Sequence, residues 1–263
     1  MTTLAESYDG FLFDLDGVVY KGTDPIDHAA AVINKLDSTQ VAYITNNASR
    51  TPDKVVELLA SVGVAASEDQ IVTSSQVAAD TLLDKFGVGA KIFVIGAQGL
   101  RDEVTSRGMM IVEDPMLELD AVVQGMTFDL KWQDLANGAI AVERGAYYLA
   151  TNLDSTFPVA NGLAPGNGMM VKAIVEASGV EPDSVGKPEP AMLTRAMDRL
   201  GSKKPLVIGD RLDTDVEAAN KAGLDSLLVF TGVTKASDLE NVPEIHKPRF
   251  VAEDLRGLLS SIA

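Results

Sequence analysis

The stretch Phe11-Leu12-Phe13-Asp14-Leu15-Asp16-Gly17-Val18-Val19-Tyr20 constrains this chain more than any other. It opens as an unbroken apolar run, the pattern of a strand buried on both faces of a parallel sheet. It then places two carboxylates two residues apart, followed by glycine. Buried carboxylates are costly unless they are paired or bound to a cation. Ligands of open α/β sheets bind outside the carboxyl ends of the strands. A carboxylate there can act as nucleophile, base or metal ligand. Asp and Gly also end strands simply because they make turns, so the remainder of the chain has to decide.

The remainder alternates strand and helix. Gln40–Ile44 reads as a second strand, ending in Thr45-Asn46-Asn47. Thr51 and Pro52 open a helix that Gly63 closes, and Ile26 to Leu36 forms the helix before it. Gln70–Thr73 is a strand, and Ser74 or Ser75 caps a helix to about Leu83. A second cycle follows, with strands at Lys91–Ile95, Met109–Val112, Asp120–Val123 and Ala146–Ala150 and a helix over Trp132–Arg144. Thr151 to Asn167 reads as a long polar loop, before a helix over Met169–Ser178. Pro205–Gly209 is a strand running into Asp210-Arg211-Leu212-Asp213-Thr214-Asp215 and a helix that stops at Gly223. Ser226–Phe230 is a further strand, and Asp254 opens a last helix. This order predicts a doubly wound parallel sheet, class α/β. The Gly96/Gly99 turn lacks the third glycine of a dinucleotide loop and reads as an ordinary corner.

Composition narrows the chemistry. The chain has no cysteine, which excludes disulfides, thiol nucleophiles and Cys-ligated metal centres. Its formal charge of −16 argues against nucleic-acid and anionic-membrane partners. An anionic substrate would therefore need local positive charge, from a metal or a placed lysine. No signal segment or spanning stretch is evident, so a cytoplasmic protein is expected. The two histidines, His28 and His246, sit in polar stretches away from every strand end, which weakens serine–histidine or phosphohistidine chemistry.

Four strand or loop ends then form a set: Asp14 and Asp16, Thr45, Lys187 in Gly-Lys-Pro, and Asp210 with Asp213 and Asp215. Each alone is a plausible turn or cap. Together they supply a hydroxyl, a lysine and enough carboxylates to hold Mg²⁺ and a phosphoryl group. In this order they resemble the four motifs of the haloacid dehalogenase (HAD) superfamily, from about residue 8 to 235. Asp-Leu-Asp-Gly-Val-Val-Tyr, Thr-Asn-Asn, Gly-Lys-Pro and Gly-Asp-Arg-Leu-x-Thr-Asp look most like its NagD and phosphoglycolate/glycerol phosphatase branch.

The resemblance implies a Rossmann-like core at 1–82 and 184–263. Thirty residues separate Asp14 from Thr45, room for one crossover, and 141 separate Thr45 from Lys187. The longer gap is expected to house an inserted α/β cap of the C2 type at 83–183. The resemblance further implies that Asp14 is the nucleophile and Asp16 the acid and base. Thr45, Asn46 and Asn47 would bind the phosphoryl group, and Lys187 would supply positive charge. Mg²⁺ would be held by Asp14, the Asp16 carbonyl and Asp210, with Asp215 orienting the shell or the lysine. Asn152 and Asp154 lie in an Ala-Thr-Asn-x-Asp stretch that faces the core in relatives and would contact substrate. Between Gly145 and Gly186 the only basic residue is Lys172, so this segment offers no evident clamp for a second phosphate. A small hydroxylated monoester, glycerol phosphate or phosphoglycolate, is expected, with nucleotide and sugar phosphates as alternatives. A homodimer through the cap is also expected. A non-catalytic phosphate- or metal-responsive module is the reading from another class, and the acid at position 16 argues against it.

Overall fold

The computed structural model describes residues 2–159 and 162–260. The described residues divide into two units. The first comprises 2–45, 52–72 and 187–260, and the second 46–51 and 73–186.

The first unit is built on a six-stranded sheet in the order Phe250–Ala252, Asp225–Val229, Pro205–Gly209, Gly10–Asp14, Val41–Thr45, Ile71–Thr73. Phe11, Leu12 and Phe13 are all buried, as an apolar run without alternation requires of a central parallel strand. Gly10–Asp14 runs parallel to Pro205–Gly209 on one side and to Val41–Thr45 on the other, with Phe13 opposite Ile208 and Asp14 opposite Ile44. The strand order reverses at this point. Asp14, Thr45 and Asp210 therefore emerge together at the carboxyl ends of three adjoining strands, where doubly wound sheets bind ligands. Phe11, Phe13, Leu15, Tyr43, Leu59 and Ile208 belong to the core on one side of this sheet.

The second unit has its own parallel sheet, ordered Asp183–Ser184, Tyr147–Ala150, Ala121–Gln124, Lys91–Ile95, Met110–Ile111. The helices Trp132–Glu143 and Asn167–Ser178 contribute Ala141, Val142, Val171 and Ile174 to a core with Phe93, Val122 and Tyr148. The stretch expected as an insert, 83–183, lies within this unit, which also takes in the whole helix Ser74–Phe86.

Several local expectations are corrected. The helix expected over Ile26–Leu36 is only Ala29–Ile33; it starts late because His28 takes a left-handed conformation at φ 67° that a helix cannot continue through. Thr73, not Ser74 or Ser75, caps Ser74–Phe86, in a reciprocal pair with Gln76. The polar loop Thr151–Asn167 contains an antiparallel hairpin, Thr156–Val159 with Gly162–Pro165, while residues 160 and 161 lie outside the described residues. The helix after Asp210 begins with a wide π turn, Leu212–Val216, before the short α-helix Glu217–Lys221. The last helix is a 3₁₀ segment, Leu255–Leu259, capped by Asp254. Among the described residues no helix is long and apolar enough to cross a membrane.

Candidate active site

Three carboxylates meet at the switch point of the first sheet. One oxygen each from Asp14, Asp210 and Asp215 lie within 4.8 Å of one another. Asp14 arrives at the end of its strand, and Asp210 directly follows Pro205–Gly209. Asp215 is brought back by the π turn, in which the Val216 N–H reaches the Arg211 carbonyl five residues earlier. The Arg211 N–H donates to Asp215 Oδ2 at 3.2 Å.

Lys187 joins two of the three. Its ammonium donates to Asp14 Oδ1 at 2.5 Å and to Asp215 Oδ1 at 2.6 Å, and it is buried. Burial works against the charged ammonium, but Asp14 and Asp215 outweigh it and hold Lys187 above its ordinary value. Burial pushes the Asp14 carboxyl well up, opposed by Lys187 and reinforced by Asp215 and Asp210. Burial likewise raises Asp210, to about 7, with Asp215 adding to the rise. Three carboxylates thus face one ammonium, an excess of negative charge that a divalent cation would offset.

The cluster fits such an ion in two further respects. Asp210 Oδ2 accepts the Val233 N–H at 2.6 Å, while Oδ1 is buried without a hydrogen-bond partner. An orphaned carboxylate oxygen beside two others is the donor set of a hard, oxygen-liganded cation. Glycines also let the backbone close around these acids. A Cβ at Gly209 would stand 2.2 Å from Asp215 Cβ, and one at Gly232 would stand 2.0 Å from Asp210 Oδ2.

Asp16 lies just beyond, exposed, in a tight reversal where the Gly17 N–H donates to the Tyr20 carbonyl at 2.8 Å. Thr231 secures this reversal by donating its hydroxyl to the Gly17 carbonyl at 2.6 Å. Thr45 is buried at the end of the adjoining strand. Sequence reasoning missed 231–233. These residues follow the strand Asp225–Val229, so a small-residue turn after a further parallel strand was the available signal.

The remaining expected residues belong to the second unit. Asn46 Nδ2 donates to both Asp154 oxygens, at 3.3 and 3.2 Å. Asn152 is buried, and its amide donates to the Asn46 carbonyl at 2.8 Å. Asn47 Oδ1 accepts the Ser49 N–H at 2.9 Å and its hydroxyl at 2.6 Å, closing a local turn. Asn46, Asn152 and Asp154 are thus brought together.

Residues 11–110 match the profile of the haloacid dehalogenase-like hydrolases, and residues 184–258 match a HAD-hydrolase-like profile. The chain belongs to the haloacid dehalogenase-like hydrolases. It is 41% identical to the D-glycerol 3-phosphate phosphatase of Mycobacterium tuberculosis, over 98% of this chain and 73% of that one. It is 35% identical to a 5′-nucleotidase of Bacillus subtilis, over 95% of this chain and 97% of the relative. The crystal structure of a glycerol phosphate phosphatase from Mycobacterium tuberculosis in complex with magnesium superposes with a TM-score of 0.94 at 41% identity, covering 98% of this chain and 78% of that one.

Proposed function

We propose that this chain is a Mg²⁺-dependent phosphomonoesterase that hydrolyses D-glycerol 3-phosphate through an aspartyl phosphate on Asp14. The observation that carries the reading is the Lys187 ammonium shared between Asp14 and Asp215, beside the unpartnered oxygen of Asp210. The 41% identity to a D-glycerol 3-phosphate phosphatase supports the substrate.

Asp14, Asp210 and the Asp16 carbonyl would hold Mg²⁺, with Asp215 bracing Lys187. When bound, the ion supplies positive charge against the phosphoryl oxygens. Lys187 holds Asp14 Oδ1 in place and, against the burial that pushes this carboxyl up, favours the charged form that a nucleophile requires. Asp14 attacks phosphorus, and the P–O bond to the glycerol oxygen breaks. Asp16, exposed at the rim, gives its proton to the departing alkoxide. It then takes one from water, whose oxygen attacks phosphorus and breaks the bond to Asp14. Thr45 and the Asn46 N–H receive phosphoryl oxygens throughout.

Location in the cytoplasm and pairing as a homodimer through the second unit complete the proposal. The exposed aromatic side chains Phe128 and Trp132 of that unit support the pairing.

The test is kcat/KM for D-glycerol 3-phosphate, phosphoglycolate, UMP, glucose 6-phosphate and fructose bisphosphate, with Mg²⁺ and with EDTA. D-glycerol 3-phosphate is expected to lead, with activity lost in EDTA. A lead for UMP would transfer the assignment to a nucleotidase, and full turnover in EDTA would refute the metal.

A further inference from the structure

The turn after the strand Tyr147–Ala150 touches two other stretches of the second unit, and each ends one residue short of a candidate catalytic side chain. The first is 46–51. The Asn46 carbonyl accepts the Asn152 amide at 2.8 Å and the Ser74 hydroxyl at 2.8 Å, while the Asn46 amide reaches Asp154. Bonds to three residues therefore fix the residue that follows Thr45. The second stretch ends at Gly186, where a Cβ would stand 2.3 Å from the Thr151 carbonyl oxygen and 2.9 Å from Asn152 Cβ. Lys187 comes next in the chain.

Asn167 secures the turn. It is buried at the first position of the helix Asn167–Ser178, and its amide donates to the Asn152 carbonyl at 2.8 Å. The helix start is pressed onto the turn: a Cβ at Gly166 would stand 2.2 Å from the Asp154 carbonyl oxygen, and one at Gly168 2.2 Å from that of Leu153. Two buried amides are thus spent on main-chain carbonyls in series, Asn167 on Asn152 and Asn152 on Asn46. Buried amides are costly unless bonded, and a bonded series of this kind fixes geometry more strictly than apolar packing.

We infer that Asn167 and Asn152 are positioning residues for phosphoryl transfer. Asn167 sets Asn152, and Asn152 sets the backbone of Asn46, whose N–H receives a phosphoryl oxygen. The inference rests on the phosphatase reading. Its effect is expected on the transferring phosphoryl group rather than on capture of the ester, since the side-chain bonds of both asparagines go to main chain, Asn167 to the Asn152 carbonyl and Asn152 to the Asn46 carbonyl and the Asp154 N–H.

The experiment compares wild type and Asn167→Ala as full chains with p-nitrophenyl phosphate and Mg²⁺, measuring kcat, KM and the inhibition constant of orthovanadate, a mimic of the transferring phosphoryl group. In the variant kcat is expected to fall roughly ten- to hundredfold, the cost of a small misplacement. The vanadate constant should rise by a similar factor, while KM moves by less than about threefold. The vanadate constant does not depend on the folded fraction, so a fall in kcat with that constant unchanged assigns Asn167 a purely structural role and overturns the inference. Unchanged kcat overturns it too. Asn167→Ser, which keeps a shorter donor, is read in the same way where the alanine variant does not fold. A wild type that releases phosphate neither from this ester nor from D-glycerol 3-phosphate overturns the phosphatase reading, and this inference with it.

Discussion

Gly17 lies so close to Asp210 that a Cβ at position 17 would stand 2.5 Å from Asp210 Oδ2. Its φ of 91° independently disfavours any side chain. The turn after the first strand and the acid after the Pro205–Gly209 strand therefore fit together only with glycine at 17. Gly17→Ala is expected to lower stability by roughly 2 kcal/mol or more, through strain and clash together. It should also weaken Mg²⁺ binding by displacing Asp210. Denaturant unfolding with and without Mg²⁺ checks both, and a variant as stable and as responsive to the ion as wild type would refute the reading.

Asp14 and Asp16 should separate kinetically. Asp14→Asn is expected to abolish turnover, because an amide does not attack phosphorus. Asp16→Asn should slow turnover by roughly 10²- to 10⁴-fold, since both half-reactions use the proton it carries. Rapid quench with labelled phosphoester should label wild type transiently on Asp14. Label in Asp14→Asn would point to another nucleophile, and none in wild type to direct attack by water.

Lys187→Met removes the ammonium that bridges Asp14 and Asp215. In EDTA at pH 7 the loss of stability should be about 3–5 kcal/mol, the cost of leaving buried partners unpaired. Saturating Mg²⁺ should restore part of it, because an ion that binds only the folded state stabilises by mass action. Catalysis should not return with stability. Equal unfolding midpoints with and without the ion would count against the cluster as its site.

A pH test is available away from the site. Asp9 accepts the Ser202 hydroxyl at 2.5 Å and the N–H groups of Lys203 and Lys204 at 3.0 and 2.8 Å. The Ser202 bond leads in holding its carboxyl below the ordinary value, opposed by desolvation and helped by the two backbone bonds. A depressed folded value means that the contribution is present above the unfolded value and fades as pH falls through the folded one. Asp9→Ala should therefore cost stability at pH 7 and little below pH ~3. Asp9 is exposed, so the effect should stay within roughly 1 kcal/mol. Thermal unfolding across pH measures it, and a difference that persists unchanged into acid would exclude the carboxylate as its source.

The strands Lys91–Ile95 and Pro205–Gly209 have the bounds expected of them, because an apolar run between polar or glycine neighbours is a local signal. The motif order placed Asp14, Lys187, Asp210 and Asp215 in one set, and the structure brings these four together. Features that depend on distant partners were hidden. Nothing near Asn152 marks it as a donor to a carbonyl 106 residues away. Gly232 reads as one more turn glycine until Asp210 is placed against it. Thr73-Ser74-Ser75-Gln76 did carry its own cap signature, Thr with Gln three residues on, but the flanking serines obscured it. The hairpin of Thr156–Val159 with Gly162–Pro165 was masked by Pro158, Pro165 and Gly162, residue types that strands disfavour.

The strand order of the first sheet also has a consequence for synthesis on the ribosome. Pro205–Gly209 is made some two hundred residues after its neighbour Gly10–Asp14. By then all of 73–186, with its own five-stranded sheet, has already been translated. Until Pro205–Gly209 arrives, one edge of this buried apolar strand has no native partner, a hazard of pairing with other nascent chains. A nascent chain halted between residues 45 and 205 carries Asp14 and Thr45 without Asp210, so the carboxylate cluster can form only once Asp210 and Asp215 have been made.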